Sequence, residues 1–381
     1  MIRDYYNCTG CRACEQICNN KAIIMQSDIL GFMYPEKDKE LCINCQGLCL
    51  KVCPMFRDDL QNKIISIYAA KNLCKEQVIK SSSGGIFPVL AINILKQNGV
   101  VFGCAYDENM MVIHIAVENV SELFRLQGSK YVQSNTLDTY KNAKEYLEQN
   151  REVLYSGLPC QIAGLKAFLE KEYDNLITVD LICKGVPSPG LFSKYLEWLG
   201  KKMGGKIIEY NFRSKEKHGW KQGNEKVIKT KTKTKTITAR FDKYYLGFQR
   251  NETLRESCYS CKYACKERTG DITLGDYWGI KEEHPEFYSN SGVSVVLINT
   301  NKGIKIWENI IDKVDTVVSN FDKASKKLNN LKYPTNRPVQ RDFFNINNFS
   351  FKISLFYYFN IIIINRIKKY IKKHYYNKEI K

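Results

Sequence analysis

The stretch VLYSGLPCQIAGLKAFLEKEYDNLITVDLICKGVPSPG, residues 153–190, decides the fold. It holds two short apolar runs, VLYSG (153–157) and LITVDLICKG (176–185), with the helical pattern QIAGLKAFLEK between them. Short apolar runs bounded by turn residues read as buried strands. The second run breaks at VPSPG into another helical pattern, LFSKYLEWLGKKM. Strand, helix, strand, helix is the order of a sheet covered by helices.

Working outward, the pattern continues in both directions. Upstream, IISIYAAK reads as a strand, and SSSGGIFPVLAINILKQNG as a Ser/Gly turn opening a helix that Gly99 closes. VVFGCAY and MVIHIAV follow as two strands, then the polar segment RLQGSKYVQS and a helix at 137–149. Downstream, IIEYNF and VIKTKTKTKTITARF form a strand pair around the turn HGWKQGN. The expected class is α+β: a small cysteine-rich domain followed by a larger mixed-sheet body. At 381 residues, two or three domains are expected.

A hydrophobic fraction of 44% with 26% charged residues describes an ordinary globular chain and excludes bulk disorder. The net charge of +18 suits nucleic acid, an anionic membrane surface or an acidic redox partner. Much of it is local. Residues 351–381 hold eight Lys/Arg and one Glu, 8 − 1 = +7, and KTKTKTKT occupies 229–236. In a single strand that run turns every lysine from 229 to 235 to one face, either as protection of an exposed edge or as a polyanion-binding face. The uncharged stretch ISLFYYFNIIIIN (353–365) is too short to span a bilayer, which takes about 20 apolar residues. With RIKKYIKKH after it, it suits an interfacial helix or a partner-docking helix equally.

Fifteen cysteines are the informative excess, and eight precede residue 54. The opening MIRDYYNCTG has no apolar run of an export signal, so reduced, metal-binding cysteines in a cytoplasmic protein are expected. Cys8-x2-Cys11-x2-Cys14-x3-Cys18 has the spacing with which one tight loop wraps three corners of a 4Fe–4S cubane and sends its fourth thiolate to a neighbour. Cys42, Cys45, Cys49 and Cys53 follow, with Pro54 after them. By that logic Cys8, Cys11, Cys14 and Cys53 hold one cluster, and Cys18, Cys42, Cys45 and Cys49 the other. Asn19 stands where proline normally follows, and the Cys45–Cys49 spacer is one residue longer than usual, an insertion that Gly47 can absorb. Zinc is the alternative, but no histidine lies in the first 113 residues. In the body, Cys160 in GLPCQ, Cys183 at the end of a strand, and Cys258 and Cys261 in CYSC make a third set of four thiolates, or else small buried residues. Cys74 and Cys104 read as structural, and Cys265 as an extra.

SSSGG (81–85), GSKYVQS (128–134), GLPCQIAGL (157–165), LICKGVPSP (181–189) and CYSCKYACKERTGDITLGDYWGI (258–280) together resemble the coenzyme F420 hydrogenase/dehydrogenase beta-subunit family, in the form with a fused N-terminal two-cluster ferredoxin module. The resemblance implies a flavoprotein with FAD beside a 4Fe–4S cluster held by Cys160, Cys183, Cys258 and Cys261. It further implies that Ser82, Ser83, Gly84 and Gly85 cradle the flavin pyrophosphate at a helix N-terminus. Gly128, Ser129 and Lys130 then flank the flavin, Lys130 supplying positive charge. An ordinary N-cap turn and a surface lysine are the plain alternatives. Lys184 stands where the family often carries histidine. Asp271, Asp276 and Trp278 have no assigned role, and His114, His218, His284 and His374 occupy no catalytic motif.

The implied domains are 1–57 (ferredoxin-type), 64–150 and 151–345 (the two parts of the flavoprotein body) and 346–381 (basic aromatic tail). The implied function is an oxidoreductase passing electrons from ferredoxin-type clusters through a further cluster to FAD and an organic acceptor, in the manner of relatives that accompany polysaccharide biosynthesis. The alternative is an electron-transfer beta subunit serving a partner hydrogenase or dehydrogenase, or the deazaflavin. Expected partners are a ferredoxin or dehydrogenase subunit and the acceptor, with peripheral membrane contact through the tail and no nucleic acid. A basic zinc-binding nucleic-acid module is the third reading.

Overall fold

Apolar strands that alternate their side chains across a sheet are what hold this chain together, as a computed structural model shows for residues 6–43, 46–216, 218–220 and 225–343. The chain divides into two units, Met1–Pro338 and Val339–Lys381. In the second, the described residues form a 3-10 turn at Val339–Phe343. The tail 346–381 and Cys45 lie outside the described residues.

The strands in chain order are β1 (Ile23–Ser27), β2 (Met33–Lys37), β3 (Ser66–Asn72), β4 (Val100–Tyr106), β5 (Val112–Val117), β6 (Val153–Gly157), β7 (Leu176–Leu181), β8 (Glu209–Ser214), β9 (Glu225–Lys229), β10 (Thr234–Ile237), β11 (Ile272–Asp276), β12 (Ser294–Ile298) and β13 (Val314–Ser319). Eight form the central mixed sheet in the order β13-β3-β12-β11-β7-β6-β4-β5. Its middle, β11-β7-β6-β4, is parallel, and the flanking pairs are antiparallel. β1 and β2 make a hairpin, and β10-β9-β8 a second small sheet. The class is α+β with a mixed sheet, as the alternation of patterns in the sequence implies.

The two faces of the large sheet explain its apolar strands. Val101 and Leu154 point to one face with the Ile86–Leu95 helix and Trp307, while Val100, Phe102, Val153 and Tyr155 point to the other. That second face is covered by the Thr139–Glu148 and Pro159–Leu169 helices. A strand covered on both faces has no use for polar residues, so it reads as a continuous apolar run. The same core takes in Cys11, Ala13, Val52 and Leu60, so the cysteine-rich segment packs into the body's hydrophobic interior.

Two details differ from the expectation. The Lys/Thr run is not one strand: β9 ends at Lys229, the Thr230 N–H bonds back to the Lys233 carbonyl, and β10 returns from Thr234. Turn formation at Thr230–Lys233 overrides the period of two, because the Thr230 hydroxyl accepts the Lys233 N–H. The lysines 229–235 therefore share no single face, although Lys231, Lys233 and Lys235 are exposed. β7 stops at Leu181, which leaves Cys183 in the loop beyond the strand rather than at its end.

Asp271, unassigned from sequence, braces the parallel core. Its carboxylate accepts the Thr178 N–H (2.8 Å) and the Thr178 hydroxyl (2.6 Å), both buried, and the half-buried Thr300 hydroxyl (2.7 Å). Removing it strands these donors away from water, at about 1–3 kcal/mol for an unsatisfied group. Asp271→Ala is expected to lower unfolding free energy in urea by about 2–4 kcal/mol, and Asp271→Asn by less, because its amide oxygen still accepts.

Candidate functional site

The body's four cysteines come from loops that the sheet ends bring together. Cys160 opens the helix after β6, and Cys183 lies in the loop after β7. Cys258 and Cys261 arrive on the Glu256–Ser260 turn, which is tied to the Cys183 loop: Arg255 N–H bonds to the Val186 carbonyl and Ser188 N–H to the Thr253 carbonyl. Gly185 allows this approach, since a side chain there, at φ +127°, meets the Cβ of Cys258 at 3.1 Å. Burial raises the thiol pKa of Cys160, with Cys261, Cys183 and Cys258 adding to it. Cys183 is pushed up to about 12 by burial and by Cys261, and Cys258 is raised by burial, Cys183 and Cys261. Two backbone donors aim at sulfur: Gly185 N–H at Cys183 (3.3 Å) and Val186 N–H at Cys258 (3.4 Å).

A second set has the same character. Burial, with Cys53 and Cys8, pushes the Cys11 thiol up to about 12; Cys14 is raised by burial, then by Cys11, Cys8, Cys53 and Cys49. Cys53 is raised by burial and by Cys8. Every pair among Cys8, Cys11, Cys14 and Cys53 is thus within electrostatic reach, and Cys49 reaches Cys14 as well.

Cys18, Cys42 and Cys49 line a cavity of about 200 Å3 together with Asn19 and Gln46. The Ala22 N–H reaches Cys18 Sγ at 3.3 Å. The inserted residue before Cys49 is absorbed by two left-handed positions, Gln46 (φ +48°) and Gly47 (φ +71°).

The first set sits against the body set. Gly164, in the helix that Cys160 opens, leaves only 2.9 Å between an added Cβ and the Cβ of Cys11. Cys11 is also among the groups that raise Cys160, and Tyr263 feels Cys160, Cys11, Cys261 and Cys53 alike. Hydrogen bonds fix the junction: Thr136 Oγ1 to the Cys11 carbonyl (3.0 Å), Gln133 Nε2 to the Thr9 carbonyl (2.9 Å) and Arg12 Nη1 to Asn135 Oδ1 (2.6 Å).

Among the described residues, no group of three or more His, Cys, Asp or Glu side chains has the geometry to hold a metal ion. Soft thiols grouped in fours, with N–H donors at sulfur, fit an iron–sulfur cluster by the chemistry of the donors. Cys265 instead donates its thiol to the Lys262 carbonyl and accepts from Gln61 Nε2.

The expected flavin segments also meet. Ser129 N–H and its hydroxyl both donate to Ser82 Oγ, at 2.7 and 2.8 Å. Ser83 Oγ, however, donates to the Val293 carbonyl and Gly84 N–H to Ser294 Oγ, so both groups hold the loop onto the sheet. Gly84 has no room for a side chain, since an added Cβ would run into the Ala70 carbonyl, and Gly85 adopts the left-handed cap (φ +77°) of the Ile86–Leu95 helix. Gly128 faces open space. Lys130 donates to the Gln127 and Gly128 carbonyls, and burial lowers its pKa.

Beside this loop lie residues that the sequence did not single out. Lys215 donates to the Ser83 and Ser291 carbonyls at 2.7 Å each, and burial with the nearby Arg213 charge lowers it to about 7. Arg213 pairs with Asp276, whose other oxygen accepts from Trp220 Nε1 at 2.8 Å; Trp220 stacks on Trp278 at 4.7 Å. Asp276 and Trp278 thereby acquire partners. These pairs join positions 56 or 63 residues apart, and no local pattern marks them. His114 is buried and donates from Nε2 to the Ser156 carbonyl, with its pKa held down to about 4 by burial. His284 meets Ser319 Oγ and His218 pairs with Glu225. His374 lies outside the described residues.

Residues 150–324 match the family described as the C terminus of the coenzyme F420 hydrogenase/dehydrogenase beta subunit. Over that segment the chain is similar to this family. Its bounds take in β6, β7, β11 and β12 and all four body cysteines. A chain of the F420-reducing NiFe hydrogenase complex from Methanosarcina barkeri is similar in structure at 17% identity, covering 72% of this chain and 90% of that one with a TM-score of 0.48. No curated protein matches the chain. Among the described residues no helix is long and apolar enough to cross a membrane.

The contact at Gly164 yields a test. Gly164→Ala forces the Cys11 loop or the helix to shift, and overpacking of this kind costs about 1–3 kcal/mol. The variant is expected to melt earlier than wild type and to lose protection from hydrogen exchange in residues 9–17 before the rest of the body.

Proposed function

We propose that the chain is an iron–sulfur flavoprotein oxidoreductase that receives electrons at its N-terminal cysteine sets and delivers them, by way of the body set and FAD, to an organic acceptor. The observation that carries this reading is the junction of Cys11 with the helix of Cys160, which places two four-cysteine sets side by side. Clusters supply one-electron steps at potentials down to about −400 mV for ferredoxin types, and a flavin supplies storage of two electrons and hydride delivery.

In this reading Cys8, Cys11, Cys14 and Cys53 hold one 4Fe–4S cluster, Cys18, Cys42, Cys45 and Cys49 a second, and Cys160, Cys183, Cys258 and Cys261 a third. Residues 1–57 act as the ferredoxin-type input, 64–345 as the flavin-bearing body and 346–381 as an appended tail that touches a membrane surface or a partner. Because Ser83 and Gly84 are engaged by the sheet, a flavin phosphate meets Ser82, Ser129 and Lys130 first. Lys130 and Lys215 offset the charge of an anionic ring or phosphate, since both are deprived of water there. The protein works in the cytoplasm, where thiols stay reduced. A glycan precursor is the acceptor class that the resemblance implies.

The family's name favours a second reading, a beta subunit that hands electrons to a partner hydrogenase or dehydrogenase. Substrate-dependent reoxidation separates the two. Reoxidation of the photoreduced chain by small organic acceptors alone supports the reductase, and reoxidation only with a partner protein supports the subunit.

Anaerobic purification with iron, sulfide and flavin counts tests the shared core of both readings. About twelve irons and one flavin per chain are expected, and about eight irons in the Cys160→Ser or Cys258→Ser variant. Colourless protein with zinc and no iron overturns the redox readings together.

A further inference from the structure

Arg255 is a cation placed between the two adjoining cysteine sets. Its side chain is fully buried. Nε donates to the Cys8 carbonyl at 2.7 Å, Nη2 to the Met33 carbonyl at 2.9 Å and to Cys8 Sγ at 3.6 Å, and Nη1 to Gln133 Oε1 at 3.1 Å. The guanidinium lies over the Tyr34 ring at 4.0 Å. Its own backbone belongs to the other set: the Cys258 N–H bonds to the Arg255 carbonyl, and the Cys258 sulfur lies within electrostatic reach of the guanidinium.

Charge is the unusual feature. A guanidinium does not lose its proton in proteins, and burying an ion without a counter-charge costs several kcal/mol. Among the described residues, none of the acceptors of Arg255 is a carboxylate. Arg268, the other fully buried arginine beside the body cysteines, follows the usual rule and pairs with the buried Asp180 at 3.2 Å. The sulfurs within reach of Arg255 are those of Cys8 on one side and Cys258 on the other, which carry negative charge as cluster ligands in the iron–sulfur reading.

We infer that Arg255 is a positioning residue that sets the reduction potential of the cluster held by Cys8, Cys11, Cys14 and Cys53, and through Cys258 that of the neighbouring cluster. The inference rests on the iron–sulfur reading above. Net charge and hydrogen bonds to sulfur set cluster potentials. A fixed cation stabilises the reduced, more negative state over the oxidised one, so it eases reduction.

The test is an EPR-monitored redox titration of the full anaerobically purified chain, with iron and sulfide counted in each sample. Arg255→Gln removes the charge, and Arg255→Lys keeps it while losing the planar fork. The Gln variant is expected to make one-electron reduction of at least one cluster tenfold or more less favourable, a shift of about 59 mV to lower potential. The Lys variant is expected to show less than half that shift. Full iron in the Lys variant with lost iron in the Gln variant also supports the inference, because charge is what separates them. Wild-type potentials in the Gln variant, equal shifts in both variants, or equal loss of iron from both overturn it and leave Arg255 as a structural tie. Wild-type protein without iron and sulfide overturns the iron–sulfur reading itself, and this inference with it.

Discussion

Much of the molecule depends on one close approach, the packing of Cys11 against Gly164 in the helix that Cys160 opens. Any side chain at position 164 stands between the N-terminal loop and the body. With glycine there, Ala13 and Val52 reach the same apolar interior as Tyr140, Ile162 and Phe168. The burial of that shared core, at about 25 cal/mol per Å2 of apolar surface, holds the cysteine-rich segment in place more than any single hydrogen bond across the junction. The same packing leaves the cysteines of both sets shielded from water, which is why their thiols are raised so far.

Shielded thiols that raise one another are an unfavourable arrangement for free cysteines and a suitable one for thiolates whose charge a cluster shares. Hydrogen-bond donors and cations surround these sulfurs. Backbone N–H groups of Gly185, Val186 and Ala22 point at sulfurs of Cys183, Cys258 and Cys18. Two buried guanidinium groups stand nearby, and only one of them, Arg268, is balanced by a carboxylate. The region around Ser82–Gly85 follows a different pattern: lysines there are held by backbone carbonyls, and Arg213 by Asp276.

Local sequence made the central sheet legible. VLYSG and LITVDL are strands because both faces are covered, and the Pro159–Leu169 helix starts at a proline that suits its first turn. The turn at Thr230–Lys233 escaped, because a Lys/Thr repeat has the same period in a strand as in a hairpin, and a side-chain bond to Lys233 decides the matter. Arg213, Lys215 and Arg255 escaped for another reason: each owes its role to partners 63 to 247 residues away. Even so, Arg255 stands three residues before Cys258, a spacing that in hindsight ties a cation to a ligand loop.

The most direct measurement is anomalous diffraction at the iron edge from crystals of the anaerobically purified chain. The account predicts three separate iron peaks: one enclosed by Cys8, Cys11, Cys14 and Cys53, one beside Cys18, Cys42 and Cys49, and one enclosed by Cys160, Cys183, Cys258 and Cys261. Absence of iron from the last set, or a zinc-edge signal in place of iron, contradicts it.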